Sequence, residues 1–538
     1  MESRQRRTSE GREALLGREP DDVPSDSGSE DVPLAGPAAG KADAAAAAPA
    51  ARRVPLSRDY GNIALLALLY LLQGVPLGLS MGSVPFLLKA KLGYGDLALF
   101  SLSSYPYSLK LLWSPIVDST FIKSLGRRKS WIVPIQAILG ITLIVLGSRI
   151  DGMLAQDKIP VGTLAIVFTA MVLLCATQDI AVDGWALTLL HEDNKTYAST
   201  AQTIGLNTGY FMSFTIFLAL NSPELCNRYL RSTPLDVGII QLGPFIQFWG
   251  IIFMICNAWL VFFQKETSDF SDVDDIKEVY KTMARICMMP QMKEFIVVML
   301  VAKLGFMAND AITGLKLLER GFSKEDLALA VLIDFPLQIV FGYYAAKWSA
   351  GRRPLRPWLF AFYGRLLAAV LGMAMVYYTP STGVTPSFFA VVIAGIVFSS
   401  FMSTLQFVSM GSFFTRISDP AIGGTYMTLL NTLSNLGGTW PKYFIFAAVD
   451  LFTDAPCSVA DATSGATIKC LDEPAKERCA ALGGTCEMRA DGYYAVNIAC
   501  VVVGLATLLF FIKPTISKLE VLPARTWRLV HGKSKGEE

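Results

Sequence analysis

The sequence predicts an all-α membrane protein built from two bundles of six helices. Three observations lead to this fold class. First, 52% of the 538 residues are hydrophobic and only 17% are charged. Second, apolar runs of membrane-spanning length recur along the chain. Third, the second half repeats features of the first half. This composition is typical of a membrane protein and not of a soluble globular domain.

About twelve apolar runs are long enough to cross a bilayer as helices. Six precede a polar segment and six follow it, which predicts one helical bundle over 60–263 and a second over 294–513. The expected spans are 62–84, 97–117, 130–149, 161–190, 197–220, 241–263, 294–317, 326–347, 357–378, 387–414, 423–449 and 492–512.

The segments outside the bundles are polar. Residues 1–59 are rich in Asp, Ser, Glu and Ala, which predicts a disordered tail. Residues 264–293 form a linker between the halves, and 514–538 form a basic tail. Because Lys and Arg concentrate in alternate loops and in both tails, the positive-inside rule places the linker and both termini in the cytosol.

Four cysteines share one polar loop, 452–490, which this topology places on the non-cytosolic side. They predict two disulfides in an oxidising compartment, with three possible pairings. Zinc ligation is the alternative, although the cysteines lack the close pairs that zinc sites usually contain. The four residues are Cys457, Cys470, Cys479 and Cys486.

Composition also limits the function classes. A net charge of +2 gives no reason to expect a nucleic-acid partner. The chain has two histidines, His191 and His531, and neither lies deep in an apolar run. We therefore expect no histidine-ligated metal, no cofactor and no enzymatic machinery of the kind that relies on a histidine base.

The internal repeat relates the fifth span to the eleventh. Tyr197 and Gly209 recur as Tyr426 and Gly438 in similar surroundings, and Gly126-Arg127-Arg128 recurs as Gly351-Arg352-Arg353. Six-plus-six spans with parallel repeats resemble the major facilitator architecture.

In that superfamily the loop after the second helix carries an Asp followed by a Gly-Arg-Arg group. Asp118, Arg127 and Arg128 match this pattern. The resemblance implies a cytosolic latch, in which acid and base pair in one state and separate in the other. Anchoring by the positive-inside rule alone is the alternative explanation for the arginines.

Two carboxylates, Asp179 and Asp183, lie four residues apart within the fourth span and therefore share one helix face. Each would cost about 2.5–3.5 kcal/mol at mid-membrane unless a partner compensates it. We expect Asp179 to hold Lys110 and Asp183 to hold the Arg127/Arg128 latch. The alternatives are a proton-carrying site and an ion pair that only packs helices.

The membrane-embedded cations Lys110, Lys303 and Arg365 predict an anion-binding cavity between the halves. The alternative is that they only pair with intramembrane carboxylates. Polar residues expected to join them in the cavity are Gln73, Gln178, Asn207, Asp310, Asn431 and Asn435.

Several stretches form a distinctive set, namely 72–79, 108–113, 126–131, 176–188, 418–432 and the four-cysteine loop followed by Asp491-Gly492-Tyr493-Tyr494. Together they resemble the endoplasmic reticulum acetyl-coenzyme A transporter family. The first of them, Leu72-Gln73-Gly74-Val75-Pro76-Leu77-Gly78-Leu79, also resembles the bacterial muropeptide permeases, which are not expected to carry the cysteine-rich loop.

The resemblance implies import of cytosolic acetyl-coenzyme A into the endoplasmic reticulum lumen by alternating access, where acetyltransferases use it. Free coenzyme A is a candidate exchange substrate. The three phosphate groups would meet Lys110, Lys303 and Arg365. Expected partners are acetyl-coenzyme A, coenzyme A and membrane lipid, with either a monomer or a homodimer as the assembly. The alternative function is a proton-coupled permease for sugar-like or peptide-like solutes.

Overall fold

The structure is a computed structural model. It describes residues 55–191, 194, 197–266, 276–322, 324–349, 351, 353–380, 385–418, 423–460 and 467–529. All of these belong to one compact unit, Val54–Glu538. Residues 1–54 of the predicted tail lie outside the described residues.

The first half consists of helices joined by short turns. They are α1 (Tyr60–Gly78), α2 (Val84–Lys89), α3 (Tyr94–Ser101), α4 (Tyr105–Leu109), α5 (Ser114–Ser119), α6 (Lys129–Gly147), α7 (Ile150–Leu154), α8 (Val161–Leu189), α9 (Tyr197–Phe211), α10 (Phe217–Asn221), α11 (Pro223–Leu225) and α12 (Leu242–Phe263). The second predicted span is divided into α3, α4 and α5. Both α4 and α5 have a proline in their first turn. A proline is tolerated there but cannot continue a preceding helix without losing a hydrogen bond.

The second half is also mainly helical and adds one small hairpin. Its elements are α13 (Ile276–Met288), α14 (Pro290–Val301), α15 (Met307–Glu319), α16 (Lys324–Ser349), α17 (Leu355–Tyr377), α18 (Pro386–Ile417), α19 (Gly423–Thr439), α20 (Pro441–Phe452), β1 (Pro456–Ala460), β2 (Thr467–Lys469), α21 (Glu473–Ala481), α22 (Gly492–Thr507) and α23 (Lys513–Glu520).

By length and composition, nine helices in the described chain could cross a membrane. The nine match predicted spans one, three to seven, nine, ten and twelve. The helices at the remaining three predicted positions are α3 to α5, α16, and α19 with α20. The all-α membrane class is therefore confirmed, while the count of twelve spans stays a prediction.

Glycines bring the first and fifth helices of each half into close contact. A Cβ on Gly74 of α1 would lie 2.3 Å from the carbonyl oxygen of Leu206, and one on Gly209 of α9 would lie 2.1 Å from that of Leu71. In the second half, a Cβ on Gly437 of α19 would lie 2.1 Å from the carbonyl oxygen of Met299 in α14. Small residues allow this approach in membrane bundles. The repeat seen in the sequence pairs Gly209 with Gly438, and in the second half the neighbouring Gly437 makes the corresponding backbone contact.

The halves meet at what we call the disulfide end, where the cysteine loop lies. The ammonium of Lys89 in α2 is 2.5 Å from the carboxylate of Glu319 in α15. The ring of Tyr94 in α3 stacks on Phe446 in α20, with 6.2 Å between centroids. The backbone N–H of Glu473 donates to the Lys91 carbonyl at 3.3 Å. Because α21 begins at Glu473, the cysteine loop of the second half contacts the first half directly.

The halves also meet toward the opposite end, which carries the Arg127–Arg128 loop and is called the basic-loop end. The Tyr105 hydroxyl donates to the Trp440 carbonyl at 2.7 Å. Helix α13 of the linker lies at this end, and its Tyr280 hydroxyl donates to the Leu112 carbonyl at 2.5 Å. Met283 and Ile286 are buried, while six of the thirteen residues of α13 are exposed. The linker therefore includes an amphipathic surface helix.

Two disulfides hold the cysteine loop. They join Cys457 to Cys479 and Cys470 to Cys486. Strands β1 and β2 pair as an antiparallel hairpin, and α21 packs on β1. This selects one of the three pairings that the sequence allowed, and disulfide bonding excludes zinc ligation by the same sulfurs.

The predicted basic tail begins as a folded part of the second half. Helix α23 places Glu520 where its carboxylate accepts the backbone N–H of Leu355 at 2.8 Å. Trp527 is fully buried, and its carbonyl accepts the Tyr426 hydroxyl at 2.8 Å. The described part of the tail therefore caps the basic-loop end of the second bundle.

Candidate substrate cavity and its charged groups

The first half contains a cluster of five polar side chains, which we call the acidic cluster. Its members lie on α1, on the turn that follows α4, on α8 and on α9. They are Tyr70, Lys110, Asp179, Asp183 and Gln202.

Lys110 joins the two carboxylates of the acidic cluster. Its ammonium forms an ion pair with Asp179 and lies 3.8 Å from Asp183. Asp183 also accepts hydrogen bonds from the Tyr70 hydroxyl at 2.7 Å and from the Gln202 amide at 2.9 Å. Asp179 is fully buried, whereas 40% of the Asp183 side chain is exposed. The lysine is thus paired within the first half, while the second oxygen of Asp179 has no hydrogen-bond partner among the described residues.

The predicted latch residues lie at the basic-loop end. Arg128 forms an ion pair with Asp118, and the Arg127 Nε donates to the Asp118 carbonyl at 2.8 Å. The Arg128 guanidinium rests over Gly184, where a Cβ would lie 2.2 Å from it. We expected Asp183 to hold this latch. In the structure Arg128 pairs with Asp118 instead, and Asp183 accepts hydrogen bonds from Tyr70 and Gln202. The Glu266 carboxylate accepts the backbone N–H of Arg128 at 2.9 Å and fixes the loop.

A central cavity of about 520 Å³ lies between the halves. The first half contributes Ser101, Ser104 and Tyr210, among others, to its wall. The second half contributes the charged groups, which are Lys303, Asp310, Arg365 and Lys442. Three cations and one carboxylate give this wall a formal surplus of positive charge.

Lys303 lies where α14 ends, before a short 3-10 turn leads into α15. Its ammonium donates to the Ser434 carbonyl at 3.0 Å. A Cβ on Gly438 would lie 3.0 Å from the Lys303 Cδ, so this glycine leaves room for the lysine stem. Within the described chain, no carboxylate lies in ion-pair distance of Lys303. Its charge is therefore available to a ligand in the cavity.

Arg365 is held on three sides. One nitrogen of its guanidinium pairs with Asp310, and another donates to the Gln406 side-chain oxygen at 3.2 Å. The guanidinium carbon lies 3.8 Å from the centroid of the Phe306 ring, a cation–π distance. The guanidinium therefore has a fixed position and orientation at the cavity wall.

The other residues predicted for the cavity are scattered. Asn431 and Asn435 line a smaller cavity of about 140 Å³, to which Lys303 and Arg365 also contribute. Gln73 and Gln178 are fully buried and have no hydrogen-bond partner in the described chain. Asn207 is exposed. These last three residues, and Lys110, line neither cavity.

Our sequence reasoning missed Lys442. This lysine follows Trp440 and Pro441 within the predicted eleventh span and lines the central cavity from α20. The signal was the same as for Lys303, a lysine inside an apolar run.

The bundle of apolar helices and the charged cavity define a multi-pass membrane transporter of the major facilitator fold. The solved structure of the nucleoside transporter NupG has the same fold, with a TM-score of 0.57 at 11% identity over 84% of this chain and 98% of that chain. This likeness shows the fold alone, and the match to a transporter family described next is what makes the chain a transporter and not an enzyme.

Sequence comparison places the chain more narrowly. The family model of acetyl-coenzyme A transporter 1 matches residues 62–273, 267–355 and 351–529, and the chain belongs to this family. The Saccharomyces cerevisiae uncharacterized membrane protein YBR220C is 40% identical over 87% of this chain and 97% of its own length. The Escherichia coli anhydromuropeptide permease is 24% identical over 28% of this chain and 30% of its own length.

Proposed function

We propose that this protein carries acetyl-coenzyme A from the cytosol into the endoplasmic reticulum lumen, where it supplies acetylation. The surplus of positive charge in the central cavity is the observation that carries the proposal. Acetyl-coenzyme A has three phosphate groups on one side of the molecule and a long, mostly neutral arm on the other. A site for it needs cations grouped on one wall, as Lys303, Arg365 and Lys442 are.

The chemistry of the three cations suits this ligand. Arg365 has a planar fork of the kind that binds a phosphate through two parallel hydrogen bonds, once the ligand displaces the side chains that now occupy its nitrogens. Lys303 and Lys442 are point charges on flexible stems and can follow phosphates of different orientation. The serines and Tyr210 on the facing wall supply neutral hydrogen-bonding groups for the adenine and the pantetheine arm.

Transport by alternating access requires a closure that can open at each end of the cavity. At the disulfide end, Phe86 and Leu315 line both the central cavity and an outer cavity of about 920 Å³. They therefore form the layer that separates the two. The Lys89–Glu319 ion pair joins the halves next to this layer. Opening the disulfide end would require both contacts to separate.

The exit side would be the lumen, since the disulfides of the cysteine loop require an oxidising compartment. Both termini would then lie in the cytosol. Free coenzyme A has the same phosphates as the substrate, so the same cavity would accept it on the return step, which makes exchange the natural mode of transport.

Uptake by the purified protein in liposomes tests the proposal. Proteoliposomes should accumulate radiolabelled acetyl-coenzyme A, and preloading with coenzyme A should accelerate uptake. Dephospho-coenzyme A, which lacks the 3′-phosphate, should compete less well. No uptake above that of protein-free liposomes would reject the proposal. Uptake of a muropeptide in place of acetyl-coenzyme A, abolished by a proton ionophore, would favour the proton-coupled permease.

A further inference from the structure

One carboxylate lies among the cations of the central cavity. Asp310, in the first turn of α15, is the only acidic residue among the described residues that line this cavity. A carboxylate in a site for a polyanion repels the ligand, and so its presence needs an explanation. Its position relative to Arg365 supplies one.

Asp310 and Arg365 lie side by side in the wall of the central cavity. The two side chains form an ion pair. The Asp310 side chain is 31% exposed, whereas that of Arg365 is only 9% exposed. The guanidinium is otherwise engaged by the Gln406 oxygen and the Phe306 ring, both of them neutral. An anion in the central cavity can therefore bind the guanidinium nitrogen that now pairs with Asp310 only by displacing this carboxylate.

A phosphate and a carboxylate compete for the same groups. Both bind guanidinium through oxygen atoms in the plane of the fork. When a phosphate displaces Asp310, the carboxylate has two other cations in the same cavity, Lys303 and Lys442. When the phosphate leaves, Asp310 can return to Arg365, and no buried guanidinium is left without a counterion.

We propose that Asp310 is an internal counterion, which binds Arg365 in the empty transporter and is exchanged for a phosphate of the substrate. Its role is to limit affinity. A cavity of three cations without a counterion would bind a polyanion tightly and release it slowly. A transporter must both bind and release its substrate in each cycle. The proposal rests on the proposed function for the identity of the substrate, but its principle holds for any phosphate-bearing ligand.

The test measures binding and turnover separately for Asp310→Asn and Asp310→Glu. Asp310→Asn should bind acetyl-coenzyme A about tenfold more tightly in detergent solution, because the competing charge is gone while the side-chain shape remains. In proteoliposomes both KM and kcat should fall, with kcat/KM changed much less. Asp310→Glu should retain values near those of the unmodified protein. Glu294→Gln removes a carboxylate from a surface ion pair and serves as the matched control.

Three results would overturn the proposal. Weaker binding by Asp310→Asn would show that the carboxylate only holds Arg365 in position or binds the substrate itself. Unchanged KM and kcat would show that Asp310 does not take part in exchange. Loss of folding in Asp310→Asn together with normal binding by Asp310→Glu would assign it to structure.

Inorganic pyrophosphate separates this proposal from the proposed function. If acetyl-coenzyme A fails to bind the unmodified protein, the proposed substrate is wrong. Pyrophosphate should still raise the melting temperature, and should do so at lower concentration for Asp310→Asn. Equal pyrophosphate dependence in the two proteins would overturn the counterion role alone.

Discussion

The two halves place their membrane-embedded charges in opposite ways. In the acidic cluster of the first half, two carboxylates share one lysine and accept hydrogen bonds from Tyr70 and Gln202. In the second half, three cations and one carboxylate face a cavity, and the carboxylate pairs with Arg365 alone among the described residues. Burying a charge is costly wherever it occurs. The first half pairs its buried lysine internally, whereas the second half leaves part of its positive charge to a ligand.

The most conspicuous charges in the sequence are therefore not the ones that line the central cavity. Asp179 and Asp183 are the most unusual residues of an apolar span, yet their partners lie within their own half. Each cation of the second half is less unusual in its own span, but together the three give the cavity wall its positive charge. Substitutions can therefore test the comparison, because they show whether a given charge contributes to stability or to substrate binding.

The largest effect is expected for Asp179→Asn. It leaves the Lys110 ammonium without its closest counterion at a buried site, which should lower the free energy of unfolding by about 3–5 kcal/mol. Thermal unfolding of the purified protein measures this loss. The double variant Lys110→Met/Asp179→Asn, which removes both charges, should recover most of it. Full stability with lost uptake would instead make the pair functional and abolish the contrast between the halves.

The second-largest effect is expected in the second half of the chain, for Lys303→Met. This change keeps the length of the side chain and removes a charge that has no carboxylate partner in the described chain. The kcat/KM for uptake should fall about 10- to 100-fold, the equivalent of about 1.5–3 kcal/mol for a charged hydrogen bond. Unfolding should be unaffected. Lys518→Met, at an exposed ion pair on α23, is the matched control. Normal uptake by Lys303→Met would remove this lysine from the site.

The extent to which these sites could be predicted differs for physical reasons. Hydropathy identified most spans because spanning length and composition are local properties. It gave no sign of the 3-10 turns that divide the second span. Lys110 could be proposed as a partner of Asp179 because ionisable residues inside the spans are few, although the sequence offered Asp183, one turn away, as well. The disulfide pairing required the folded loop, since spacing alone leaves three possibilities.

The partners of Arg365 and Lys303 were beyond prediction from sequence. The Asp310–Arg365 pair joins α15 to α17, and only their packing decides which of the several carboxylates Arg365 meets. Lys303 reaches the cavity past Gly438 of α19, more than a hundred residues away. Such contacts depend on how close two helices approach, which one sequence does not reveal.

A smaller effect is expected for Asp183→Asn, at the partly exposed edge of the acidic cluster. The Asn oxygen can still accept from Tyr70 and Gln202, and Lys110 keeps Asp179, so the loss of stability should stay below about 1 kcal/mol. If Asp183 takes part in the change of state, turnover should fall about fivefold, which exceeds the effect on folding. Uptake and unfolding measured on one preparation compare the two. A loss of stability with normal turnover per folded molecule would assign Asp183 to structure alone.

The smallest effect is expected for Gly438→Ala, which tests whether the second half positions Lys303 as well as supplying it. The added Cβ would lie 3.0 Å from the Lys303 Cδ and 3.1 Å from its ammonium nitrogen. A flexible stem can move by a few tenths of an ångström, so KM should rise about threefold, with kcat nearly unchanged. Gly342→Ala in α16 is the matched control, because nothing lies within 4 Å of its added Cβ. If both variants have the same KM, the charge of Lys303 matters more than its place. The charges of the first half would then depend on side-chain partners in fixed positions, whereas the cavity of the second half would depend on a lysine that can move with the ligand.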